Sequence, residues 1–473
     1  MAPLILGIFQ YIGPNGTIGS AWQHPGDESA NFTSVKHWIK LAQRFEEAKF
    51  DLLFFADSYG FPVLATDFGS ELIPAAVREG RGIPQGDPVP VIAAVAAATE
   101  KLGFIVTTST TVEPPAANAR RFATLDHFTD GRIGWNIVTG SSGATAAALM
   151  GKPLIPHDER YDMADDYVEL SLKLWEGSWE DDALVLDKER NVYAEPSKVH
   201  MIHHEGPYFR ADGVLTLPPS KQRTPLLVQA GTSGRGMEFA GKHAEVVFVA
   251  GGDPGRVARN IAAIRQAAVD AGRAPDSIKI LVGALFLTGA TSEDARRTHD
   301  EMLAMSTPEA AAAIFAGNTG VDLMSMDPDK PLTEQHTEMG LSNLQRYLGG
   351  NGKPAPTVRE IIEDFRVTGI NGSVFVGTGA EIADQVEEFV AVTDADGFLI
   401  QPHLTPGTYD DFIEFLLPEL RSRGLARDEY VGDTLRERIF GEGNARLPES
   451  HNGARYRVGA TSAGASVTGR SIR

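Results

Sequence analysis

Eight times along the chain a short apolar run is followed by a stretch with helical periodicity. The runs lie at residues 4–11, 51–57, 104–110, 132–139, 225–231, 245–250, 278–288 and 397–401. The second reads DLLFFAD, with no polar residue between its ends, as expected of a parallel strand covered on both faces. Between the runs, Val35, Trp38, Ala42 and Phe45 share one helical face, as do Met163, Tyr167, Leu170 and Leu174, and Val257, Ile261, Ile264 and Ala268. Further helices are expected at 90–101, 116–128, 234–243, 379–393 and 409–423. Asp253 and Pro254 suit the cap and first position of the helix they precede. Thr291 to Asp294 resembles a capping box. Strands alternating with helices pair in parallel. Eight such units fit an α/β fold of the (β/α)8 TIM barrel kind. The competing open, doubly wound sheet lacks its main support, because no G-x-G-x-x-G follows the first run.

The regularity breaks at 178–224 and again at 306–372, which read as insertions. Residues 445–473 differ again: Arg446, Arg455, Arg457, Arg470 and Arg473 stand against Glu449 among small and polar residues. The 473 residues therefore divide into one barrel domain over 1–444, with two insertions, and a basic C-terminal tail that is a flexible or docking arm. Lys+Arg total 43 against 63 Asp+Glu, a net charge of −20. Such a surface repels phosphate backbones and anionic lipid, so neither nucleic acid nor a membrane is expected as partner. Cysteine is absent, which excludes disulfides, thiolate metal sites and thiol nucleophiles. The first residues lack a basic region before a long apolar one, so a cytoplasmic location is expected.

In a barrel, chemistry sits at the C-terminal strand ends. Asp57 ends an otherwise apolar strand there. Gly231-Thr232-Ser233-Gly234-Arg235-Gly236 follows the fifth run and opens a helix. Its glycines permit close backbone approach, its helix start offers unpaired N–H groups to a phosphate, and Arg235 is a candidate counter-charge. His157 and Tyr161, four apart, can share one side of a helix start. Ordinary cap, turn and solvated-helix roles compete with each of these readings. His200, His203 and His204 invite a metal-dependent hydrolase reading, but they have no accompanying carboxylate pattern, and no metal is expected. No nucleophile elbow, P-loop or kinase signature is present. A chain without its own acid, base and nucleophile set lends its chemistry to a bound cofactor, or is a non-catalytic binding protein.

Gly131-Arg132-Ile133-Gly134-Trp135-Asn136-Ile137-Val138-Thr139 resembles a segment of flavin-dependent monooxygenases in the bacterial luciferase superfamily. The branch is that of nitrilotriacetate monooxygenase, dibenzothiophene-sulfone monooxygenase and the pristinamycin synthase large component. Residues 21–25 (AWQHP), 49–57, 121–127, 181–185, 198–200 and 405–412 agree. The resemblance implies a barrel that binds reduced FMN (FMNH2), supplied by a separate NAD(P)H-dependent flavin reductase, and reacts with O2. It implies FMN contacts at Asp57, Thr107, Asn136, His157, Tyr161 and Ser233, with the last three at the phosphate. It places Asn136 and Thr107 where oxygen is held, and His24 as a candidate polar group over the substrate. Phe9, Trp22, Phe55, Tyr59, Trp135 and Phe248 are the expected apolar pocket. They suit a small aromatic, sulfur- or halogen-bearing compound, with a polycarboxylate such as an aminoacetate as the alternative. A deazaflavin-dependent oxidoreductase is a rival on the same fold. Relatives of this kind form dimers or tetramers.

Overall fold

The computed structural model describes residues 3–14, 20–63, 72–140, 143–332, 344, 347, 354–369 and 372–459. The expected strands are all present: β1 (Ile5–Gln10), β2 (Leu52–Phe55), β3 (Gly103–Ser109), β4 (Ile133–Val138), β5 (Leu226–Gln229), β6 (Val246–Val249), β7 (Lys279–Gly289) and β8 (Gly397–Ile400). Each pairs in parallel with the next. The last pairs with the first, Ile5 opposite Gly397 and Ile8 opposite Ile400, so the sheet closes into a TIM barrel. One further strand, Val374–Thr378, lies outside the ring and pairs with the far half of β7.

Strand alternation sorts the apolar side chains into two layers. Ile5, Leu52, Phe54, Ile105, Leu226, Val228, Val246, Leu281 and Leu399 fill the barrel interior. Their neighbours Leu6, Leu53, Phe55, Phe104, Trp135, Leu227, Val247 and Ile280 belong to the larger core between barrel and helices. The bottom of the interior is closed by the C-terminal helix Leu435–Phe440, whose Leu435 and Ile439 join the inner cluster. Gly103 opens β3 because a Cβ there would lie 2.5 Å from Leu435 Cδ1 and 3.1 Å from the Asp51 carbonyl. No local periodicity announces this plug.

Asp253 caps its helix by accepting the Arg256 N–H, as expected, and Thr291 caps the next by accepting the Asp294 N–H, the first half of the expected capping box. Two helices carry the site: α1 (His157–Gly177) and α2 (Gly234–His243). The first insertion is more regular than its sequence suggests. It folds as two antiparallel hairpins, Leu184–Asp187 with Val192–Ala194 and Ile202–Glu205 with Arg210–Gly213. The second carries the helices Pro308–Thr319 and Val358–Thr368, and its residues 333–343, 345–346, 348–353 and 370–371 lie outside the described residues.

The tail takes the docking alternative over residues 445–459. Leu447, His451 and Ala454 are buried, and Arg457 pairs at 2.8 Å with the fully buried Glu176. Arg446 pairs with Asp181. In this part the tail's positive charge therefore meets the acidic body of its own chain. Residues 460–473, with Arg470 and Arg473, lie outside the described residues. Among the described residues no helix is long and apolar enough to cross a membrane.

Candidate functional site

A cavity of about 340 Å3 opens at the C-terminal ends of β1 to β6, the face where barrels build their sites. Its wall includes Phe9, Asp57, Tyr59, Thr107, Asn136, His157, Tyr161, Ser233 and Phe248. Nine residues drawn from seven separate stretches of sequence thus meet in one space.

On the floor, Phe9, Phe54 and Phe248 pack with ring centroids 5.6 to 6.1 Å apart, Phe9 stacked on Phe54 and Phe248 tilted against both. Three expected pocket residues, Phe55, Trp135 and Trp22, are not on the cavity wall. Phe55 points outward and packs on Trp38 at 5.3 Å. Trp135 points outward onto Phe122, Tyr167 and Trp175. Period-2 alternation forces both results: where Asn136 faces in, Trp135 faces out, and Phe54 occupies the place given to Phe55. Trp22 is 43% exposed on a short turn. His24 is not part of the cavity wall either. It uses its Nδ1 to accept the Gly26 N–H at 3.0 Å, which stabilises its own loop.

On the β3–β4 side, Asn136 Nδ2 donates to Thr107 Oγ1 at 2.8 Å, and the Thr107 hydroxyl donates to the Phe55 carbonyl at 2.8 Å. The Thr107 proton is therefore directed into the barrel wall. Thr107 thereby orients Asn136. Asn136 is 3% exposed, yet its Oδ1 has no protein partner, and Gln229 Oε1 at the end of β5 is in the same condition. Buried acceptors without donors are uncommon and ask for a ligand.

Across the cavity, Ser233 caps α2 by accepting the Gly236 N–H at 3.1 Å. Tyr161, on the first turn of α1, holds its hydroxyl against this loop. A Cβ at Gly231 would meet Tyr161 Oη at 2.8 Å and also Gln229 Nε2. Burial pushes the Tyr161 phenol up, so it remains a protonated donor. His157 stands over it, ring centroids 5.3 Å apart. Backbone N–H groups at a helix start, two hydroxyls and a histidine form an anion cradle. Arg235 is not its counter-charge: its guanidinium pairs with Asp162 at 2.9 Å and Asp165 at 2.7 Å. Arg160 was missed by sequence reading. It lines the cavity and donates to the Gly140 carbonyl, fixing the loop after β4. Residues 141–142 of that loop lie outside the described residues.

Asp57 sits at the rim with Oδ1 accepting from the Ser58 N–H at 2.8 Å and from Gln85 Nε2 at 3.0 Å. Burial pushes its carboxyl up to about 7, with Asp87 and Glu113 adding to the rise against those two bonds. Near pH 5 the folded chain therefore holds a proton at Asp57 that the unfolded chain has released. The resulting contribution to stability is present at about pH 4 and lost as pH rises through about 7. Thermal midpoints of the native chain and Asp57→Asn, compared from pH 4 to 8, should diverge in favour of the variant as pH rises. Parallel curves would mean that Asp57 titrates normally. Nearby, Tyr59 donates to Glu113 at 2.5 Å, and Arg121 holds Glu113 at 3.0 Å.

The three insertion histidines do not converge. His200 pairs with Glu180, His203 with Asp212 and His204 with Asp166. Among the described residues no three His, Asp or Glu groups come together as a metal site.

The family model described as luciferase-like monooxygenase matches residues 17–424. Over 454 residues the chain is 38% identical to dimethyl-sulfide monooxygenase of Hyphomicrobium sulfonivorans, covering 96% of this chain and 94% of that one. Over 437 residues it is 41% identical to long-chain alkane monooxygenase of Geobacillus thermodenitrificans, covering 92% and 94%. Among solved structures, riboflavin lyase with modified FMN and riboflavin superposes with a TM-score of 0.90 at 42% identity, covering 96% of this chain and 99% of that one.

Proposed function

The chain belongs to the luciferase-like monooxygenase family and is a flavin-dependent monooxygenase, and on that premise we propose that its cofactor is reduced FMN. A separate NAD(P)H-dependent flavin reductase would supply it. One observation carries the FMN reading: a single cavity joins an anion cradle, at Ser233, Tyr161 and His157, to two buried amide oxygens without donors, at Asn136 and Gln229. The phosphate fits the first, and the N–H groups of a reduced isoalloxazine ring fit the second. Reduced flavin supplies the two electrons that let O2 give one oxygen atom to a substrate and the other to water.

The chain's own residues do the rest. Phe9, Phe54 and Phe248 give the ring an apolar floor and exclude water. Thr107 holds Asn136 in place, and Asn136 fixes the ring's polar edge. Asp57, protonated below about pH 7, can donate at the rim. We assign a small apolar substrate, aromatic or bearing sulfur or halogen. The apolar floor of Phe9, Phe54 and Phe248 favours it over the polycarboxylate alternative. A homo-oligomer, dimer or tetramer, and a cytoplasmic location complete the proposal.

Anaerobic titration tests the cofactor assignment. Ser233→Ala or Tyr161→Phe should each raise the Kd for reduced FMN about tenfold, the worth of a hydrogen bond to a charged group. Unaltered affinity in both single variants and the double variant would overturn the phosphate assignment. Tighter binding of a reduced deazaflavin than of reduced FMN would favour the rival oxidoreductase.

A further inference from the structure

The anion cradle is assembled from two helices that share no backbone hydrogen bonds. Tyr161 belongs to α1, and Ser233 caps α2. Their spacing depends on whatever holds α2 against α1. Asp165 lies one turn after Tyr161 on α1, and its carboxylate takes contacts from both ends of α2. Arg235, in the first turn, reaches Oδ2 at 2.7 Å. Lys242 and His243, in the last turn, reach Oδ1 at 3.1 and 2.6 Å. A helix gripped at both ends by one carboxylate can neither slide along its neighbour nor turn without breaking a contact. The grip also touches the cradle directly: the Arg235 guanidinium carbon stands 5.9 Å over the Tyr161 ring. Asn452 in the docked tail closes the far side, with Nδ2 3.3 Å from His243 Nδ1. Burial alone would raise the Asp165 carboxyl, but the hydrogen bonds from His243 and Arg235 and the charge of Lys242 hold it well below the usual range.

We propose that Asp165 is a positioning residue for phosphate recognition: it locks α2 onto α1 and so sets Ser233 against Tyr161. The proposal rests on the FMN reading above. It predicts a defect confined to the phosphate. Asp165→Asn keeps the shape but weakens three charge-assisted contacts.

The experiment is anaerobic equilibrium titration of the full chain with reduced FMN and with reduced riboflavin. Asp165→Asn should raise the Kd for FMN about tenfold and leave that for riboflavin within about twofold, so the native preference for FMN shrinks. Arg235→Gln should act in the same direction, and Asp165→Glu should recover most of the preference. Equal loss for both ligands would overturn the proposal by showing a general structural role. So would an unchanged preference in Asp165→Asn when Ser233→Ala/Tyr161→Phe weakens FMN. If that double variant also binds FMN normally, the phosphate reading itself fails and this proposal falls with it.

Discussion

Replacing Asn136 with alanine is expected to lower the yield of oxygenated product per reduced flavin about 100-fold, with the electrons diverted to hydrogen peroxide. The side chain is buried on the cavity wall, its Nδ2 is anchored on Thr107, and its Oδ1 is buried without a donor. An amide held this rigidly is preorganised, so its loss removes an interaction that water entering the gap does not restore. Thr107→Val should produce a smaller loss of the same kind, because it removes the anchor and leaves the amide. Product and peroxide measured together over a fixed amount of reduced flavin decide the matter. Full coupling in Asn136→Ala would remove the residue from the oxygen-handling part of the site.

The second large effect is on stability and lies at the other end of the barrel. Glu245 and Arg436 form a two-pronged pair, Nε to Oε1 at 2.8 Å and Nη2 to Oε2 at 3.0 Å. Their side chains are 3% and 1% exposed. Arg436 also donates to the Thr224 and Pro225 carbonyls, and Glu245 accepts the Leu227 N–H. The pair ties the plug helix to the start of β5. Glu245→Ala leaves the guanidinium buried without its counter-charge, which should cost about 3–5 kcal/mol in urea unfolding. Glu245→Leu combined with Arg436→Met should recover most of that loss, since it removes both charges at once. A native midpoint in Glu245→Ala would show that the plug is held by packing alone.

The barrel was legible because a parallel sheet covered on both faces leaves a distinctive trace: short apolar runs alternating with helical stretches. For the same reason, inward and outward positions were hard to separate. In FFAD and GWNIV no polar partner marks the outward face, so Phe55 and Trp135 were placed inside. The parity was nonetheless present: the polar side chain of Asn136, facing a ligand site, requires Trp135 to face out. Gln229 carries a similar signal, as the one polar residue within its apolar strand. Ser233, Tyr161, His157 and Asp57, singled out because loop chemistry and motif agreed at each, all line the cavity. The plug helix, the docked part of the tail and the Asp165 grip were not legible, because each depends on contacts between residues far apart in sequence. The irregular residues of the first insertion hid two hairpins, whose short strands are mostly exposed and carry no apolar alternation.

The central claim is that this cavity uses reduced FMN and O2 to oxygenate a small organic molecule. It is tested most directly by incubating the chain under 18O2 with FMN, NADH and a flavin reductase, across a panel of thioethers, aromatic sulfones, halogenated aromatics and alkanes. Mass spectrometry should find a product carrying one 18O atom, formed only when flavin, reductase and oxygen are all present and lost in Ser233→Ala/Tyr161→Phe. A product that forms without flavin, or whose new oxygen comes from water, would contradict the account.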